Sequence, residues 1–171
     1  MSRFSILSII SFFIYLFYQV LILKNIVVAH TAFCFLYVAY LLLLPVESNP
    51  LVLMGAGFFF GLVIDMFYDS LGLHAFACVL VMYFRNYWLS LLTPQGGYDS
   101  SASPSLAMSG IQWFLMYTFP LVFLHHSFLF FVEVGGFGMF WFTLWKIFVS
   151  TIFTTGSIVI VEFLFPGRRL R

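Results

Sequence analysis

Few side chains in this sequence could do chemistry, and most of them sit inside long apolar runs. Asp65 and Asp69 are carboxylates four residues apart, and His74 follows across the short Ser70-Leu71-Gly72 connection. An aspartyl intramembrane protease needs two carboxylates at one depth on different helices. These two share one helical run, and the glycine-aspartate signature of such proteases is absent. Adjacent His125 and His126 would point about 100° apart on a helix, which does not assemble a metal site. Cys34 and Cys78 are isolated thiols without ligand spacing or a disulfide framework, and they read as small packing residues. No serine–histidine pair, phosphate-binding loop or metal motif is evident. The residues point away from an enzyme and imply neither cofactor nor metal.

What remains is the chemistry of recognition. A carboxylate inside an apolar span is costly and turns toward protein or water, where it finds a partner. His74 falls at about the same depth as Asp65, so an Asp65–His74 hydrogen bond is one expectation, and a helix-end carboxylate reaching the headgroups is the plainer one. Gly57, Gly61 and Asp65 recur at i, i+4 and i+8 along one helix stripe. Small residues at that spacing let another helix approach closely, here mostly within the same chain. Arg85 lies between Met82-Tyr83-Phe84 and Asn86-Tyr87-Trp88, and would either snorkel to one face or pair with Glu162 at comparable depth. His125, His126 and Lys146 read as packing or interfacial anchors. Trp88, Trp113, Trp141 and Trp145 fall near span ends, where aromatic belts sit.

The elements that must position these residues follow from composition. Hydrophobic residues are 63% of the 171 positions and charged residues 8%, with 25 phenylalanines. A soluble domain of this size could not hide so much apolar surface, so lipid is the expected solvent. Seven Lys/Arg against six Asp/Glu leave no basic cluster able to grip nucleic acid. Runs of about 20 apolar residues, divided by turn formers and charges, predict one all-α transmembrane domain of about six helices. These fall at 4–23, 27–46, 51–68, 72–92, 106–131 and 139–165. The first run is too long for a secretory h-region and lacks a cleavage site, so it is read as a retained helix. The Gly-, Ser- and Pro-rich stretch 93–105 is the one long loop. Arg3 before the first helix and Arg168, Arg169 and Arg171 after the last predict both termini cytoplasmic, together with the loops at 47–50 and 93–106.

The segment Gly57–His74, GFFFGLVIDMFYDSLGLH, with Arg85 and then LLTPQGGYD at residues 91–99, resembles the MreD family. These are small inner-membrane proteins of the bacterial rod-shape and elongation system, and the likeness is to the form found in Bacteroidetes-type bacteria. It covers residues 19–99, and the last two helices add only hydropathy. The resemblance implies a non-enzymatic scaffold or regulator in the bacterial inner membrane. Its implied partners are membrane lipids, an MreC-like protein and the wall-synthesising glycosyltransferase and transpeptidase. Such proteins are also similar in their helical body to the substrate-binding subunits of energy-coupling-factor transporters. The alternative reading is therefore a small-molecule-binding membrane subunit, which predicts Asp65, His74 and His125 converging on a closed, partly polar cavity. An oligomeric channel would need a continuous polar stripe along one helix, and none is evident. Gly57, Gly61, Asp65, Gly72, His74 and Arg85 are the expected helix-packing and partner-binding residues.

Overall fold

The computed structural model describes residues 6–98 and 103–165. Arg3, Arg168, Arg169 and Arg171, which carry the expected orientation, lie outside the described residues, as do Asp99 to Ala102 of the long loop. Within them the chain is mostly helical: α1 (Ile6–Leu21), α2 (Tyr37–Leu42), α3 (Pro50–Tyr68), α4 (Leu73–Leu91), α5 (Leu106–Glu133) and α6 (Phe140–Leu164). Four helical stretches, Ser8–Asn25, Pro50–Tyr68, Gly110–Glu133 and Phe140–Leu164, are long and apolar enough to cross a membrane, which is compatible with an all-helical membrane protein. α4 is long enough but less apolar, because it carries His74, Arg85 and Asn86.

Local chemistry sets the helix ends. Asn49 accepts the Leu51 N–H at 2.9 Å with Pro50 at the first helical position, a strong start for α3. Asp69 takes the left-handed conformation that ends α3, and Gly72 (φ 91°) turns the chain into α4. Gly110 (φ 77°) interrupts α5 near its beginning. Pro120 inside α5 has no N–H to offer the Met116 carbonyl, and the Trp88 indole N–H fills that place at 3.0 Å. The Trp113 indole likewise caps the Leu92 carbonyl at 3.0 Å, and the Tyr98 hydroxyl caps Leu89 at 3.0 Å. Burial at this loop edge raises the Tyr98 phenol above its ordinary range.

Residues 27–46 depart from the expected continuous helix. They begin as a two-stranded hairpin, β1 (Val27–Val28) with β2 (Ala32–Phe33), turning through left-handed Ala29 and His30. An extended stretch follows, then the six residues of α2, then an irregular descent to Pro45. Yet the segment traverses the bundle. Phe33 lies beneath the Lys146 ammonium near the start of α6, whereas Leu44 meets Arg85 near the end of α4. Residues 35–42 are buried throughout, enclosed by the long helices. Non-helical backbone at membrane depth is tolerated only where protein surrounds it.

Candidate functional site

Two buried polar clusters occupy the two ends of the bundle, and the crossing segment joins them. At the first end, α3 and α4 form a tight hairpin. A Cβ on Gly61 would lie 2.4 Å from the Ala75 Cα, and one on Gly57 would lie 3.0 Å from the Met82 side chain and 3.2 Å from the Cys78 carbonyl. The glycine stripe is thus used inside the chain, against α4. That contact sets Asp65 directly beneath the first turn of α4. Its Oδ1 accepts the His74 N–H at 3.0 Å and the Ser70 hydroxyl at 2.6 Å, and its Oδ2 accepts the Ala75 N–H at 2.9 Å. A helix start offers unpaired N–H groups and a partial positive charge, so a buried carboxylate is stabilised there without a cationic side chain.

The expected Asp65–His74 bond therefore exists, but through the histidine backbone. The imidazole turns away, with Nδ1 2.8 Å from the Tyr37 hydroxyl, and the His125 Nε2 approaches the same hydroxyl at 2.8 Å from α5. One hydroxyl carries one proton, so it donates to one ring and accepts from the other. Among the described residues His125 Nδ1 has no partner, and an orphaned buried N–H is rarer than an under-used acceptor. The proton of His125 then belongs on Nε2, donated to Tyr37, whose own proton goes to His74. His126 is fixed separately. Its Nδ1 donates to the Val122 carbonyl at 2.7 Å, leaving Nε2 to accept the Thr154 hydroxyl at 3.2 Å. Both α5 histidines are fully buried, so they pack and do not anchor at an interface.

Between the clusters, side chains replace the hydrogen bonds that a helix would have supplied. Gln19 on α1 donates to the Cys34 carbonyl at 3.0 Å and to the Tyr68 hydroxyl at 2.8 Å, and accepts the Tyr37 N–H at 3.3 Å. From α6, Ser150 accepts the Phe33 N–H at 3.0 Å and Thr154 the Phe35 N–H at 3.1 Å. α6 carries Thr143, Ser150, Thr151, Thr154, Thr155 and Glu162 on its buried side, a polar stripe interrupted by Ile147 and Ile158. It faces the chain interior.

At the second end, Arg85 is fully buried and does not snorkel. Nor does it pair with Glu162, which accepts the Leu106 N–H at 3.3 Å. The guanidinium donates through Nε to the Tyr117 hydroxyl at 2.8 Å and through Nη2 to the carbonyls of Leu42 and Leu44, while Tyr117 donates to Leu42 at 2.7 Å. The cation thus closes the carbonyl end of α2, as Asp65 closes the N–H end of α4. Among the described residues the one side-chain ion pair is Lys146–Glu133 at 2.9 Å.

Of the six candidate residues, the structure joins Gly57, Gly61, Asp65 and the His74 backbone in one contact, with Gly72 at its turn. Arg85 stands apart at the opposite end. Gln19, Tyr37, Tyr117, Ser150 and Thr154 were not singled out by sequence. The hydroxyl spacing on α6 was the available signal for the last two. No protein-family model, curated protein or solved structure matches the chain.

Proposed function

We propose that this chain is a non-enzymatic scaffold or regulator of bacterial cell-wall elongation, of the MreD type. It would span the inner membrane six times, five times as a helix and once as the irregular segment, with both termini cytoplasmic. It would bind an MreC-like protein and, with it, the wall-synthesising glycosyltransferase and transpeptidase. The observation that carries this reading is where the polar atoms of the resembling motif are directed. Asp65 is committed to the start of α4, Arg85 to the end of α2, and the glycines to the α3–α4 contact. Such residues build a rigid body whose exposed helix faces are mainly apolar and available to partner spans. Crosslinking in the native membrane, followed by identification of the captured proteins, tests it. Recovery of an MreC-like protein is the expected result. Normal rod shape and growth after deletion would overturn the reading.

One observation favours the transporter-subunit alternative, because His74 and His125 do converge on a single point. That point is the Tyr37 hydroxyl, and the Tyr37 ring is wholly buried between them, so the space a ligand would need is filled. Binding of a small polar molecule by the purified chain, abolished by His125→Leu, would move the conclusion to that alternative.

A further inference from the structure

The end of the bundle that carries the α3–α4 turn is stepped. On its low side the ends of α1 and α3 lie level, since the Lys24 ammonium donates to the Phe67 carbonyl, and Gly72 turns the chain at once into α4. Lys24, Asn25 and Asp69 make that edge polar and exposed. On its high side α5 continues. His74, the second residue of α4, and His125 on α5 share the Tyr37 hydroxyl, with ring centroids 6.5 Å apart. From there α5 runs on to Glu133, which carries it about 10 Å past the start of α4 at 1.5 Å per residue. Helical side chains lean toward their own N-termini, so on these antiparallel helices the His125 backbone stands above that of His74, and the step is no smaller.

Tilting the molecule does not level the step. At the opposite end the Trp113 indole, near the start of the unbroken part of α5, caps Leu92 just past the end of α4, so the two helices finish together. The lengths agree. α3 and α4 have 19 residues each, about 28 Å, and α6 has 25, about 38 Å. A hydrocarbon core is about 30 Å thick.

Nor is the high side a headpiece standing in water. Phe140, Trp141 and Phe142 are successive and all exposed, so at about 100° per residue they spread over more than half of the start of α6. Between Phe128 and Phe148 the charges are Glu133 and Lys146, which neutralise each other at 2.9 Å. A protein partner covers one face, whereas a helix apolar on this many sides sits in hydrocarbon. Exposed Trp141 and Trp145 then mark the membrane boundary on the high side, as Lys24 and Asp69 mark it on the low side.

We infer that the chain holds the leaflet at this end at two heights, higher along α5 and α6 than along α1, α3 and α4. The surface it fits is the lipid itself, whose acyl chains stretch on one side and compress on the other. This rests on the reading of the chain as spanning a bilayer.

The full-length chain, reconstituted in phosphatidylcholine vesicles, tests it with nitroxide labels placed one at a time on Met139→Cys, at the start of α6, and Leu71→Cys, in the α3–α4 turn. Both sites are exposed, and the native Cys34 and Cys78 are buried. Depth is read from the balance of collisions with oxygen, which enters hydrocarbon, and with a nickel chelate, which stays in water. The two labels should read the same depth below the local surface. A flat leaflet would instead separate them by about 10 Å, with position 139 the more aqueous, and would overturn the inference. So would a label at position 139 shielded from both probes, which marks a protein cover in place of lipid. Release of the chain from the vesicles by alkaline carbonate would overturn the membrane reading and this inference with it.

Discussion

The α3–α4 hairpin and the crossing segment 27–46 lie side by side in the same bundle, yet they are held by opposite means. The hairpin is regular, its backbone bonds are internal, and its stability comes from shape: two glycines let the helix backbones touch. The crossing segment is irregular, and its backbone is satisfied by side chains from α1, α4, α5 and α6. Regular structure needs only room to pack closely. Irregular structure at the same depth needs a specific partner for each backbone group, because lipid offers none. The difference explains why a protein so rich in phenylalanine keeps so many polar residues in its interior.

The largest effect should come from breaking the shape term. Gly61→Leu places a side chain into the Ala75 backbone and should cost about 3 kcal/mol or more, read as a fall in the unfolding midpoint in detergent. Next, Arg85→Met removes the donors from Leu42 and Leu44 and a partner from Tyr117. A loss of roughly 3 kcal/mol is expected, since these are charge-assisted bonds in a buried site. A cost below about 0.5 kcal/mol would mean that the polar clamps do not hold the segment. Asp65→Asn keeps an acceptor but loses the charge at the α4 start, and about 2 kcal/mol is expected by the same measurement. The smallest change, Thr154→Val, should cost about 1 kcal/mol, and its value lies in where it acts. Hydrogen exchange should speed at the Phe35 amide while the α3–α4 hairpin stays protected. Uniform loosening would show that the two regions do not unfold separately.

The hairpin was legible because its determinants are local. The glycine stripe, the carboxylate one turn from the helix end and the turn residues all fall within the stretch 57–74, and helix periodicity places them correctly. The crossing segment was not legible, because a continuous apolar run does not distinguish a spanning helix from buried irregular chain. What decides between them lies far away in sequence: Phe35 is bonded by Thr154, and Leu42 by Arg85 and Tyr117. Arg85 illustrates the limit well. Its depth pointed to Glu162 as an ion-pair partner, whereas a nearer set of unmet carbonyls took the guanidinium instead.

The bonds from Ser150 and Thr154 to Phe33 and Phe35 also impose a timetable on assembly. A growing chain delivers the amides of residues 33 and 35 more than a hundred residues before it delivers the hydroxyls that receive them. Until α6 arrives, those amides must be met by water, by the insertion machinery or by a transient helix within the segment itself. The crossing segment therefore cannot take its final hydrogen bonds before α6 is made, and a chain halted there leaves the amides of residues 33 and 35 without their hydroxyl partners.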